Sequence, residues 1–204
     1  MNLRQELKQQ RWDDHRYYHH NRINQSLHLF SASCFLVTYL LIFISPVAAA
    51  LTGWILAMVS RQVGHFFFEP RDFDAANQVS HEYKEEIKVG YNLNRKMVLL
   101  ALWAASPIFL KLNPSFFGLL NAHTNSGEYL YNLSLLWLAL GIGAIVFRTV
   151  QLFVIANVTT GLAWFTKILT DPFHDIALYH KAPVQALRGE LYDPIVGEDA
   201  EQRT

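Results

Sequence analysis

The chain has 204 residues, of which 51% are hydrophobic and 17% are charged, against about 25% charged in a typical soluble domain. Seventeen basic residues balance 17 acidic ones, so no basic surface for a nucleic-acid backbone is expected. The 14% aromatic content excludes a disordered chain, and the lone cysteine, Cys34, excludes a disulfide framework. The composition therefore favours a membrane protein.

The first apolar segment follows a polar stretch and covers residues 27–60 without a charged residue. As one helix it would be about 51 Å long, well beyond a hydrocarbon core of about 30 Å. The segment therefore predicts a hairpin of two short helices, over residues 27–44 and 46–64, with Pro46 in the first turn of the second.

Two further apolar runs follow, over residues 97–110 and 132–158. The second contains Arg148, which at that depth is expected to find a partner or to extend toward an interface. Lysine and arginine are abundant before residue 27 and between residues 61 and 96, whereas Lys111 alone separates the last two runs. This asymmetry predicts four spans with both termini in the cytoplasm.

We therefore expect an all-α integral membrane bundle of about four transmembrane helices, formed by a single domain over residues 1–204. Its parts are a polar N-terminal segment, a helical hairpin, a cytoplasmic loop, a second helical pair and a cytoplasmic C-terminal segment, over residues 1–26, 27–64, 65–96, 97–158 and 159–204. A buried hairpin in a soluble bundle is the alternative. We expect a bacterial inner membrane rather than the endoplasmic reticulum.

The hairpin topology predicts that two histidines distant in sequence are neighbours in space. His28 enters the hairpin and His65 leaves it, on the same side of the membrane. If the N-terminal segment continues into the first helix, His20, Asn24 and His28 share one stripe, and His65 and Glu69 are also four residues apart. Imidazole and carboxylate ligands without thiolate are typical of non-haem iron or manganese sites, and zinc accepts them too.

The other histidines divide by their place in this topology. His123 lies in the loop on the opposite side and is excluded from the site. The C-terminal segment contains the sequence TDPFHD, in which we expect Asp171 to cap a helix that begins at Pro172. His174 in the same segment is a candidate additional ligand.

Two segments resemble a known family. The first is YHHNRINQSLH over residues 18–28, and the second is VGHFFFEP over residues 63–70. They are similar to the signatures Y-H-H-N-x-x-N-x-x-x-H and G-H-x-x-F-E of the small membrane 2-hydroxy fatty acid dioxygenases of the Mpo-like family. The matching positions are His19, His20, Asn21, Asn24, His28, His65 and Glu69.

The resemblance implies an Fe(II)-dependent dioxygenase that uses O₂ to shorten a long-chain 2-hydroxy fatty acid by one carbon, as in fatty-acid α-oxidation. We predict metal binding by His20, His28, His65, Glu69 and His174. We assign catalytic roles beside the metal to His19, Asn21 and Asn24, the asparagines orienting imidazoles or binding the substrate carboxylate. Arg22 or Arg61 could also pair with the substrate head. Membrane lipid is an expected partner, nucleic acid is not, and homo-oligomerisation is left open.

Three other functions fit parts of the sequence. A haem-binding membrane redox protein would use axial histidines on two helices and would have little need of Glu69. A non-enzymatic membrane interaction protein would carry interfacial histidines and no metal. A zinc hydrolase would bind metal without redox sensitivity.

Overall fold

The computed structural model describes residues 1–69, 72–74 and 77–194, which fold into helices without a β-strand. This confirms the predicted all-α class. The helices are α1 (Leu3–Tyr18), α2 (Arg22–Leu41), α3 (Pro46–Phe67), α4 (His81–Ile87), α5 (Leu93–Leu112), α6 (Ser126–Ile155), α7 (Val158–Tyr179) and α8 (Ala182–Leu187).

Helix α2 is the element around which the functional residues are arranged. It contacts α3, α7 and α8, while α7 also packs against α1 and α6. The predicted hairpin of α2 and α3 is present, and Pro46 lies in the first turn of α3, where Ser45 caps the helix. The middle of α3, Leu51–Met58, has π-helical hydrogen bonding.

The N-terminal segment does not continue into the hairpin as one helix. Helix α1 ends at Tyr18 and α2 begins at Arg22. Asn21 breaks the helix because its extended backbone and its side chain, which accepts hydrogen bonds from the backbone N–H groups of Ile23 and Asn24, make it an N-cap. The predicted stripe is therefore wrong at His20, which lies in the connection between the helices.

The expected helix start at Asp171 and Pro172 is also wrong. Helix α7 begins at Val158, capped by Asn157, and both Asp171 and Pro172 lie inside it. A proline lacks the N–H that its turn would donate, but it can persist when the surrounding packing holds the helix. Both residues are buried, so Asp171 is available for an ion pair rather than a cap.

Three helices are long and apolar enough to cross a membrane, namely α3, α5 and α6. The sequence predicted four spans. The fourth is the predicted span over residues 27–44, which corresponds to α2. Helix α2 is not among the three because its first turns contain the polar residues Asn24, Gln25 and His28, all of which are buried in the bundle. The cytoplasmic placement of the termini stays a prediction.

Arg148 on α6 has the partner that its depth predicted. Its guanidinium donates hydrogen bonds to the carbonyl oxygen of Val89 at 3.0 and 2.6 Å and to Oε1 of Gln151 at 2.6 Å. These contacts satisfy a buried cation with protein oxygens, and they tie the segment before α5 to α6.

Three tryptophans hold the apolar helices together. The rings of Trp54 and Trp103 stack with centroids 5.6 Å apart, and Trp137 packs against Trp103 at 5.4 Å. Trp54 Nε1 donates to the carbonyl oxygen of Trp137 at 2.8 Å, and Trp137 Nε1 donates to Ser106 Oγ at 2.9 Å. The cluster therefore joins α3, α5 and α6 by packing and by hydrogen bonds.

We expect Trp54→Ala to lower the free energy of unfolding by about 3–5 kcal/mol, because it removes a large buried ring. Trp54→Phe should cost about 1 kcal/mol, since it loses chiefly the hydrogen bond. Thermal unfolding of the detergent-solubilised protein measures both. Leu56→Ala, at a half-exposed position on the same helix, is the control. Equal melting temperatures for Trp54→Ala and Leu56→Ala would contradict this account.

Candidate metal centre

Three histidine side chains converge where α1, α2 and α3 meet. His19, His28 and His65 each offer a ligand atom, and these atoms lie within 4.8 Å of one another. The ring centroids are 4.1 Å apart for His19 and His28, 4.9 Å for His28 and His65, and 5.3 Å for His19 and His65. The three could therefore hold one metal ion, and the close approach of His28 and His65 agrees with the predicted hairpin.

The ring nitrogens at the centre have few partners in the described protein. Three buried ring nitrogens have no hydrogen-bond partner: both nitrogens of His28, and Nε2 of His19. Leaving buried polar atoms unpaired is costly, about 1–3 kcal/mol each. Burial also lowers the pKa of His19 well below its usual value, with a further contribution from His28. Neutral imidazoles with free lone pairs are the form that binds a metal, so the residues fit a metal ion.

Glu69 lies against His65 rather than in the three-imidazole group. Its Oε2 is 2.5 Å from His65 Nδ1, and its Oε1 accepts a hydrogen bond from Lys88 Nζ at 3.3 Å. A carboxylate on one ring nitrogen fixes the tautomer and leaves the other nitrogen, here Nε2, for coordination. Glu69 therefore orients His65.

The connection between α1 and α2 is held by side chains of α2. Asn24 Nδ2 donates to the carbonyl oxygen of Tyr18 at 2.8 Å, and Gln25 Nε2 donates to that of His19 at 2.7 Å. Both side chains are fully buried. They fix the backbone that carries His19, so the predicted role of Asn24 becomes the positioning of an imidazole.

The C-terminal segment closes over the same connection. Arg22 makes two hydrogen bonds with the Asp193 carboxylate, at 3.0 and 3.1 Å, and the Asp193 N–H donates to the carbonyl oxygen of His20 at 2.8 Å. Arg22 N–H donates to the carbonyl oxygen of Leu191 at 2.9 Å. Because Arg22 is occupied by Asp193, it is not free to bind a substrate head.

Helix α7 presents a polar stripe to the site that the sequence reasoning missed. Lys167, Asp171, Asp175 and Tyr179 follow one another at intervals of four residues, and all are buried. Four polar residues at this spacing on an otherwise apolar helix are the signal that could have revealed the stripe, since they share one face. The sequence interpretation considered Asp171 only as a helix cap and assigned no role to Asp175.

The residues of the stripe lie beside the histidines, and Asp175 neutralises Arg61. Asp175 Oδ2 accepts a hydrogen bond from Arg61 at 3.1 Å and lies 3.7 Å from His28 Nδ1, beyond hydrogen-bond distance. The Tyr179 ring lies 6.0 Å from the His19 ring and 6.4 Å from the His28 ring. Arg61 is therefore bound to a protein carboxylate, like Arg22.

Besides Glu69 and Asn24, three predicted site residues lie outside the three-imidazole group. Nε2 of His20 is 4.0 Å from Asp74 Oδ2, and burial lowers the pKa of His20 to about 4. His174 is a half-buried residue of α7. Asn21 caps α2. The structure groups His19, to which we assigned a catalytic role, with His28 and His65.

A cavity of about 220 Å³ adjoins the centre and reaches His19 and His65. Its lining combines cations, the carboxylates of Asp13 and Asp14, and apolar side chains of α3, α5 and α7. A smaller cavity of about 20 Å³, enough for a single water molecule, lies beside Glu69 and also reaches His65. A molecule in the larger cavity would have one end at the imidazoles.

The model of the Mpo1-like family, described as 2-hydroxy-palmitic acid dioxygenase Mpo1-like, matches residues 6–74. This match confirms the family resemblance of the two motifs. It includes the three clustered histidines and Glu69, whereas the α7 stripe lies outside the matched residues. Searches among the curated proteins and the solved structures give no significant match.

Gly64 determines how closely α2 and α3 can approach at the level of the histidines. A Cβ at this position would lie 2.2 Å from Asn24 Oδ1 and 3.5 Å from His28 Cδ2. Because Asn24 is fully buried and bound to Tyr18, it cannot move aside without releasing the connection that carries His19. Glycine is therefore required before His65.

We expect Gly64→Ala to separate α2 from α3, to destabilise the protein by about 1–3 kcal/mol and to weaken metal binding strongly. Metal content after reconstitution and thermal unfolding check this. Gly143→Ala is the matched control, because nothing lies within 4 Å of a Cβ there and the site is on another helix. Metal retention by Gly64→Ala equal to that of Gly143→Ala would disprove the packing argument.

Proposed function

We propose that this protein is an Fe(II)-dependent membrane dioxygenase that acts on long-chain 2-hydroxy fatty acids and shortens them by one carbon. The observation that carries the proposal is the convergence of His19, His28 and His65 within the segment that matches the dioxygenase family model. Three apolar helices support membrane association, for which we propose a bacterial inner membrane.

The ligand set supports a metal that retains open coordination positions. Three imidazoles leave space for further ligands, and no thiolate lies in the group. Iron(II), when bound there, would supply Lewis acidity and redox chemistry toward O₂ and a 2-hydroxy acid. Glu69 orients His65 through Nδ1, and Asn24 fixes the backbone of His19, so the chain holds the imidazoles in place before substrate binds.

The cavity supports a lipid substrate. Its walls combine charged side chains near the imidazoles with apolar side chains such as Met58, Leu99 and Ile168. The apolar walls are supplied by α3, α5 and α7, and the first two of these are candidate membrane spans. A fatty acid could thus place its polar end at the metal while its tail extends along the apolar helices.

Zinc is the metal that competes most directly with iron, because a three-histidine set also occurs in catalytic zinc sites. Haem is disfavoured by the packing of the three rings, whose centroids lie 4.1 to 5.3 Å apart around a single point. Rings this close together leave no space for a planar porphyrin between two axial imidazoles. Metal identity and the visible spectrum separate these alternatives.

The test is anaerobic purification in detergent, Fe(II) reconstitution, and measurement of metal content, visible spectrum and O₂ uptake with 2-hydroxypalmitate. We expect near-stoichiometric iron, no Soret band, and O₂ uptake that depends on the 2-hydroxy acid. His28→Ala and His65→Ala should each lower metal affinity at least about 100-fold and abolish O₂ uptake. A chelator should reversibly remove the activity of the wild type.

His123→Ala is the matched control, because His123 is half-buried near Tyr129 in the connection before α6 and does not belong to the three-imidazole group. It should keep both metal and activity. Bound zinc with no O₂ uptake would replace the proposal by a hydrolase, and a Soret band would replace it by a haem protein. Absence of metal after reconstitution would leave the interaction-protein alternative.

A further inference from the structure

The cavity beside the three histidines contains an excess of positive charge. Its lining includes four cationic side chains, from α3, the segment after α4, α5 and α7: Arg61, Lys88, Lys96 and Lys167. Burying several cations next to neutral imidazoles is unfavourable unless each one has a partner. The partners of these four side chains therefore indicate what the cavity is built to hold.

Two of the four cations are neutralised by the α7 stripe. Arg61 donates to Asp175 at 3.1 Å, and Lys167 donates to Asp171 at 2.8 Å and also pairs with Asp14. Lys167 lowers the pKa of Asp14 below its usual value, although burial alone would raise it. These cations hold α7 against α1 and α3.

Lys88 is also neutralised. Its Nζ lies 3.3 Å from Glu69 Oε1 and 3.4 Å from Glu85 Oε1, and it sits 3.6 Å from the centroid of the Tyr18 ring. Its role is accounted for by these contacts, which position Glu69 and through it His65.

Lys96 is different. Within residues 1–69, 72–74 and 77–194, the Lys96 ammonium makes neither an ion pair nor a hydrogen bond. Glu69 and Glu85 line the smaller cavity with it, but both are paired with Lys88. It nevertheless borders both cavities, and His65 borders both as well. A half-buried ammonium beside the candidate metal centre that makes no ion pair with a protein carboxylate is complementary to a carboxylate supplied by a ligand.

The positions of the apolar lining residues along α3 and α5, relative to the predicted membrane, indicate how that ligand would be oriented. Met58 precedes His65 on α3 by two helical turns, about 10 Å, and Leu99 follows Lys96 on α5 by one turn. The two helices run in opposite directions across the predicted membrane, so Met58 and Leu99 both lie deeper than His65 and Lys96. Along α3 and α5 the cavity lining therefore changes from His65 and Lys96 to the apolar Met58 and Leu99.

We propose that Lys96 binds the carboxylate of the fatty acid and so holds the substrate head beside His65. This inference rests on the proposed function and assigns a substrate-binding residue outside the segment that matches the family. Arg22 and Arg61, the cations that the sequence suggested for this role, are instead held by Asp193 and Asp175. A carboxylate salt-bridged by Lys96 would keep the carbon that bears the 2-hydroxyl group close to the imidazoles.

The test compares Lys96→Met with the wild type under anaerobic conditions, in the iron-loaded protein. Binding is measured for radiolabelled 2-hydroxypalmitate and for its uncharged methyl ester. We expect Lys96→Met to weaken binding of the acid about 10- to 100-fold, the range expected for a lost charge-assisted hydrogen bond. Binding of the ester should change less than about 3-fold, and iron content should not change.

Two further variants separate charge from packing. Lys96→Arg keeps the charge and should restore most of the affinity for the acid, while Lys111→Met, an exposed lysine at the end of the same helix, should behave as wild type. If Lys96→Met loses iron or its folded tryptophan fluorescence, Lys96→Gln takes its place. Acid binding by a folded, iron-loaded Lys96→Met or Lys96→Gln that equals wild type overturns the proposal.

The O₂-uptake measurement on the wild type keeps this outcome separate from the proposed function. Loss of acid binding in Lys96→Met, with no O₂ uptake by the wild type, supports Lys96 as a carboxylate-binding residue and removes the dioxygenase. O₂ uptake by the wild type, with unchanged acid binding in Lys96→Met, keeps the dioxygenase and removes Lys96 from substrate recognition.

Discussion

The convergence of three buried imidazoles is the constraint on which the rest of the site depends. The rings of His19, His28 and His65 have centroids 4.1 to 5.3 Å apart, and buried ring nitrogens of His19 and His28 have no hydrogen-bond partner. Burying such groups is unfavourable when they are neutral and more unfavourable when they are protonated. A shared metal ion would remove both costs at once. The surrounding hydrogen bonds, from Asn24 to the α1–α2 connection and from Glu69 to His65, serve to keep the imidazoles at this distance.

The buried charges around the centre form a second layer that joins distant parts of the chain. Asp175 connects α7 to Arg61 on α3, Lys167 connects α7 to α1, and Asp193 connects the C-terminal segment to Arg22 at the start of α2. Breaking one partner of such a pair leaves an uncompensated buried charge, which is strongly destabilising. The residues after the matched segment therefore complete the site rather than extend a finished domain.

The cavity relates this charged layer to the membrane. Apolar helices α3 and α5 enter the site at their polar ends, so a lipid chain and a charged head group can be accommodated in one continuous space. Among the described residues, Lys96 is the cation lining that space whose ammonium makes no ion pair. The proposed substrate recognition and the candidate metal site thus use different helices, α5 for the carboxylate and α2 and α3 for two of the imidazoles.

The sequence by itself determined the helical class, the hairpin that brings His28 to His65, and the two motifs, because hydrophobic run lengths and residue spacing are local properties. The sequence did not determine which imidazoles lie close enough to share a metal ion. Asn21 caps α2 and so interrupts the helix between His20 and His28. As a result His19, and not His20, lies beside His28 and His65. Nor did the sequence interpretation reveal that Asp171 and Asp175 face Lys167 and Arg61. The four-residue spacing of Lys167 and Asp171 is a local property that could have predicted their pairing, whereas the burial of that helix face depends on packing. Arg61 and Asp175 are 114 positions apart, and only the tertiary structure decides such a contact.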